Sequence, residues 1–141
     1  MSDSLWGRAL VLIIEGDDVV ASSLQNSLTG AGYTTQRAAS AEEALVALQS
    51  TPADLILMNL LLPDCDGLIL CSTLKTQFPA PIIVLSARAG DVDRALALES
   101  GAVDLLTKPV DVDVLLTQVR AVVSQGLGAR SQGTEVSWGA R

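Results

Sequence analysis

The sequence predicts an α/β fold, a doubly wound and mostly parallel sheet with helices on both faces. Four short apolar runs and a weaker fifth segment alternate with amphipathic stretches along the chain. The connections between them are short, which favours adjacent βα units in one sheet. The strongest runs are continuously apolar, as strands covered on both faces should be.

The elements follow in order. Ala9 to Ile14 (ALVLII) is short, continuous and partly β-branched, a buried strand. Val20, Leu24 and Leu28 then form a helical stripe, closed by Gly30 and Gly32. Tyr33 to Arg37 makes a weaker second strand. Ser40-Ala-Glu-Glu43 is a capping box, and the helix it opens turns Ala41, Ala44, Leu45 and Leu48 to one face. Leu55 to Met58 is the third strand, followed by a helix from about Leu68 to Thr76. Pro81 to Leu85 (PIIVL) is the fourth strand, and Val92, Ala95, Leu96 and Glu99 mark a fourth helix ended at Gly101. Val103 to Leu106 completes the set. Asp111 caps a last helix with apolar positions Val112, Leu115, Leu116, Val119, Val122 and Val123. From Ser124 the text changes to SQGLGARSQGTEVSWGAR, with four glycines and no amphipathic period. One domain is therefore expected over residues 1–124, with a linker or tail over 125–141.

Composition narrows the function. With 49% apolar and 18% charged residues, the 141-residue chain can bury a full core. A net charge of −7 and a pI near 4.3 argue against this segment gripping phosphate backbones by itself. No apolar run approaches the ~18 residues of a membrane span, so no membrane contact is expected, and the cysteine usage makes a reducing cytoplasm the simple reading. Cys65 and Cys71 fit neither a zinc pattern nor a redox pair; Cys65 reads as a loop passenger and Cys71 as core packing. The absence of histidine excludes histidine-based acid/base, relay and metal chemistry.

In such folds the chemistry lies outside the carboxyl ends of the strands. Those ends are Glu15-Gly16-Asp17-Asp18 after the first strand, Asn59 on the third, Ser86 after the fourth, and Lys108-Pro109 after the fifth. No glycine-rich phosphate loop follows the first strand, which disfavours an unrelated flavodoxin-like ligand binder. An amide, where a carboxylate would be the reactive choice, is the odd member.

From about Ala9 to Val123 the chain resembles the receiver domains of two-component response regulators. The matching text is VLIIEGDD, DLILMNLLLPDCDGL, PIIVLSARAGDVDRALALESGAVDLLTKPVD and LLTQVRAVV, in order and at the family's spacings. The resemblance implies a CheY-like sheet with strand order 2-1-3-4-5. It implies a site where acids after strand one and an aspartate on strand three hold magnesium. That aspartate takes a phosphoryl group, whose oxygens a hydroxyl and a lysine bind. Ser86 and Lys108 match the last two, and the Lys108–Pro109 bond would be cis, as in the family. Glu15 matches the first acid, but Gly16 stands at the principal metal acid and Asn59 at the phosphoacceptor. Leu105 stands where receivers usually carry an aromatic switch residue. An engineered Asn59 would account for neither Gly16 nor Leu105.

The expectation is a pseudo-receiver: no catalytic residue, no metal, no other cofactor, and Glu15, Gly16, Asp17, Ser86 and Lys108 as pocket remnants. Asn59 keeps the shape of an aspartate without its nucleophilicity, and can bond to Lys108 or Glu15. The alternative is a conventional phosphoacceptor that uses Asp17 as a substitute acid. The branch resembled most is that of OmpR/PhoB-type winged-helix regulators. In that branch helix four, strand five and helix five form a two-fold dimer face. Arg94 and Asp104 match its charged set, while Val114 and Gln118 replace charged partners and Leu98 adds apolar surface. The partners implied are a second copy of the chain and another signalling protein. DNA would be bound only by a C-terminal domain beyond this chain, whose start Gly133-Thr-Glu-Val-Ser-Trp-Gly139 resembles.

Overall fold

The computed structural model describes the backbone of residues 9–88 and 90–140, and side chains as far as Gly126. Five parallel strands form one sheet in the order β2-β1-β3-β4-β5. They are β1 (Leu10–Ile14), β2 (Thr34–Ala38), β3 (Leu55–Asn59), β4 (Ile82–Ser86) and β5 (Asp104–Thr107). Between and after them run α1 (Asp18–Gly30), α2 (Ala41–Ser50), α3 (Gly67–Gln77), α4 (Asp91–Glu99) and α5 (Val112–Ala140). The order and the doubly wound layering are those the sequence predicts.

Alternation along the strands divides the core. Leu12, Ile14, Ile56, Met58, Ile82 and Val84 face α2, α3 and α4. Val11, Ile13, Leu55, Leu57, Ile83 and Leu85 face α1 and α5. Burying each such side chain contributes about 1.5–3 kcal/mol relative to exposure. The helices carry their own start signals: Asp17, Ser40 and Asp66 each accept backbone N–H bonds at the starts of α1, α2 and α3. At Gly67 an added Cβ would stand 2.4 Å from the Leu60 carbonyl oxygen, so only glycine lets the β3–α3 loop close on itself.

Two helices depart from expectation. On α4, the apolar positions that mark the helix in the sequence, Val92, Ala95 and Leu96, are exposed, and the buried residue is Ala97. Ala97 is the one side chain of this helix that is buried, and an apolar period cannot tell a core face from an outward one. Of the apolar positions of α5, Val112 is exposed, whereas Leu115, Val119, Val122 and Val123 are buried. The backbone of α5 stays helical through Ala140 instead of ending near Ser124. The side chains of residues 127–141, including the stretch that resembles the start of a further domain, lie outside the described residues.

Candidate functional site

The parallel sheet brings four strand ends to one edge. Glu15 follows β1, Asn59 closes β3, Ser86 closes β4, and Lys108 follows β5. Register fixes their depth, with Asn59 opposite Leu85 and Ser86 opposite Thr107. Glu15, 2% exposed, is the centre. Its Oε1 accepts from Lys108 Nζ at 3.2 Å, and its Oε2 from Asn59 Nδ2 at 3.2 Å and Asp17 N–H at 3.1 Å. The Lys108–Pro109 peptide is cis.

Asn59 Nδ2 also donates to the Leu61 carbonyl at 2.8 Å. This decides the amide's orientation, since the flipped amide would set its oxygen against two acceptors at once. The same argument explains the residue type. An ionised aspartate at position 59 would face both acceptors with no proton to offer.

The other pocket residues divide. Ser86 is buried; its Oγ accepts from the Arg88 N–H at 2.9 Å, and it lines a cavity of about 180 Å³ with Asn59, Leu60, Leu61, Arg88 and Lys108. Asp17 is drawn off to the start of α1, where its Oδ1 accepts from Val19 and Val20 N–H at 2.9 and 3.0 Å. Gly16 is exposed, and a Cβ there would stand 3.2 Å from Pro63 Cδ. A hard divalent ion needs several free oxygen ligands. Glu15 offers one carboxylate whose two oxygens already accept bonds, one of them from an ammonium. Gly16 offers no side chain, and Asp17 is spent on the helix. These residues do not fit the ion.

Two residues that sequence reasoning passed over shape this edge. Asp64 reaches from the β3–α3 loop to the start of α2, accepting from Ala41 and Glu42 N–H at 2.9 and 3.1 Å. Those bonds, that of Ala41 first, hold its carboxyl below the usual carboxylate range. Arg37 bonds to the carbonyl of Glu15 and to Asp18. Cys65 is half-buried in its loop, while Cys71 is buried in the core and burial pushes its thiol pKa up.

On the far side of the sheet's β5 edge, Leu105 is 2% exposed and packed in the α2–α4 core. Arg94 pairs with Asp104 Oδ1 at 2.6 Å, and Gln118 Nε2 donates to Asp104 Oδ2 at 3.1 Å, all within one chain. Leu98 and Val114 stand 45% and 52% exposed nearby.

Over residues 11–120 the chain matches the response regulator receiver domain. The chain belongs to that family. Among its relatives, the transcriptional regulatory protein AfsQ1 of Streptomyces coelicolor is 40% identical over 116 residues, 82% of this chain and 52% of AfsQ1. The transcriptional regulatory protein KdpE of Mycobacterium tuberculosis is 37% identical over 120 residues, 85% of this chain and 53% of KdpE. The chain thus spans about half the length of the curated relatives it matches. The receiver domain of TorR, the TMAO respiratory system response regulator, superposes with a TM-score of 0.78 at 32% identity, covering 84% of this chain and 98% of that one. The Francisella response regulator 1452 receiver domain gives 0.80 at 28% identity, covering 84% and 98%. Among the described residues no helix is long and apolar enough to cross a membrane.

Proposed function

We propose that this receiver domain signals without being phosphorylated, as the N-terminal part of a transcriptional regulator. The observation that carries the reading is the Glu15–Asn59–Lys108 network. An amide occupies the end of β3, donates to Glu15, and leaves the lysine paired to the same carboxylate. A carboxamide is a far weaker nucleophile than a carboxylate and holds no divalent cation by charge. The alternative, phosphoryl transfer to Asp17, gains no support from geometry, because that carboxylate caps α1. The transcriptional role rests on AfsQ1 and KdpE being transcriptional regulatory proteins that extend well past the matched half. The OmpR/PhoB-type branch and a DNA-binding domain beyond this chain belong to the same proposal.

Output runs through assembly. The face of α4, β5 and α5 exposes Leu98 and Val114 beside a charge set already satisfied within the chain. Association there need not break or rebuild ion pairs, and apolar area contributes more than exposed pairs. A symmetric homodimer with micromolar or weaker affinity is the expected product. Sedimentation velocity across a concentration series tests this, with and without magnesium and a small phosphodonor. The reading predicts the same monomer–dimer equilibrium in both buffers. A dimer that forms only with the phosphodonor would overturn it.

A further inference from the structure

The β1–α1 loop concentrates negative charge, with Glu15, Asp17 and Asp18 inside four residues. Lys108 answers Glu15 from one side. On the other side stands Arg37, at the end of β2. Its Nε and Nη2 donate to the Glu15 carbonyl oxygen at 2.9 and 2.8 Å, and its Nη1 donates to Asp18 Oδ1 at 2.8 Å. One guanidinium therefore spans the loop, gripping the residues on either side of Gly16 and Asp17.

The sheet puts it there. Ile13 pairs with Arg37, and the Glu15 N–H donates to the Ala38 carbonyl at 3.0 Å, so the last carbonyl of the β1 edge lies beside Arg37's strand. That carbonyl belongs to a residue 2% exposed and must find a donor inside the protein. A fork of N–H groups with a permanent charge can satisfy a carbonyl and a carboxylate together, which a single ammonium does poorly.

We propose that Arg37 is the built-in counter-cation of this loop. With Lys108 it holds the β1–α1 segment closed where the site's residues do not fit a divalent ion, so the domain keeps one shape whatever the metal supply. The inference rests on the reading of the site given above. It goes further than a satisfied carbonyl, because it makes the charge of Arg37 the operative property. Removing that charge would free the Glu15 carbonyl and the Asp18 carboxylate, two hard oxygen donors, for an external cation.

Thermal unfolding of the full chain tests this in EDTA and in millimolar magnesium chloride, at matched ionic strength. The comparison is between the parent protein, Arg37→Met and Arg37→Lys. The parent midpoint should ignore magnesium. Arg37→Met should melt lower in EDTA and recover part of the loss with magnesium. Arg37→Lys should lose less and respond little. An Arg37→Met protein indifferent to magnesium beside an indifferent parent overturns this inference alone, as does an Arg37→Lys protein that recovers as much as Arg37→Met. A parent stabilised by magnesium overturns the reading of the site and this inference with it. Should Arg37→Met fold in neither buffer, the lysine variant decides. If it folds and ignores magnesium, the counter-cation stands; if it fails alike, the shape of the fork is what matters and the proposal falls.

Discussion

Restoring the family's acid by Asn59→Asp should weaken this protein at neutral pH. Asn59 Nδ2 donates at 3.2 Å to Glu15 and at 2.8 Å to the Leu61 carbonyl, and an ionised carboxylate can donate to neither. Each lost bond costs about 1 kcal/mol. The new oxygen would also face Glu15 Oε2. Two unit charges at that 3.2 Å separation repel by roughly 5 kcal/mol at an effective dielectric constant of ~20. Lys108, 3.2 Å from Glu15 Oε1, attracts both carboxylates, and with side-chain rotation offsets much of the repulsion. The net loss expected is about 2–4 kcal/mol. A like-charged neighbour raises the new carboxyl's pKa, so the native state binds more protons than the unfolded one above the unfolded value of ~4. Stability in the variant therefore falls as pH rises through that window, and the deficit shrinks in mild acid. Urea denaturation followed by circular dichroism, in EDTA at neutral and mildly acidic pH, reads both effects. An Asn59→Asp protein as stable as its parent at neutral pH would refute the hydrogen-bond argument.

Three further outcomes are expected. Asn59→Asp alone should restore little magnesium binding by titration calorimetry, whereas Asn59→Asp with Gly16→Asp should restore a measurable affinity once Pro63, 3.2 Å from the added Cβ, gives way. Asp64 has its native pKa depressed by the Ala41 and Glu42 N–H groups, so its contribution is present above the unfolded value and lost as pH falls through the native one. Asp64→Asn should thus be less stable than its parent at neutral pH and converge with it in acid, as urea midpoints will report. Val114→Asp, beside Asp111 and Asp113 on a residue now 52% exposed, should abolish the dimer in sedimentation, and a dimer indifferent to it would sink the α4–β5–α5 assignment.

Much of this architecture is legible in the sequence because the physics there is local. Continuous apolar runs mark β1, β3 and β4, Ser40 with Glu43 marks the start of α2, and Asp111 N-terminal to Val112 marks that of α5. Strand ends then converge by topology, which is why Glu15, Asn59, Ser86 and Lys108 could be read as one cluster. What the sequence hid was long-range or orientational. Arg37 and Asp64 act on partners 19 or more residues away in sequence, Asp18, Glu15 and Ala41 among them, and nothing in their own neighbourhoods announces it. The outward turn of Val92 and Leu96 follows from how α4 leans on the sheet, a tertiary matter that periodicity does not encode. Arg94 and Asp104 were legible as members of a charged set, but not their pairing within one chain or the Gln118 bond beside it.

The most direct test is chemical. The protein is incubated with magnesium and a small phosphodonor such as acetyl phosphate, and its intact mass is read at once, before a labile acyl phosphate can hydrolyse. A receiver whose β3 ends in the Asn59 amide, with Lys108 held by Glu15, should show its unmodified mass throughout. A phosphoryl adduct that maps to the segment around Asn59, or to Asp17, would contradict the account.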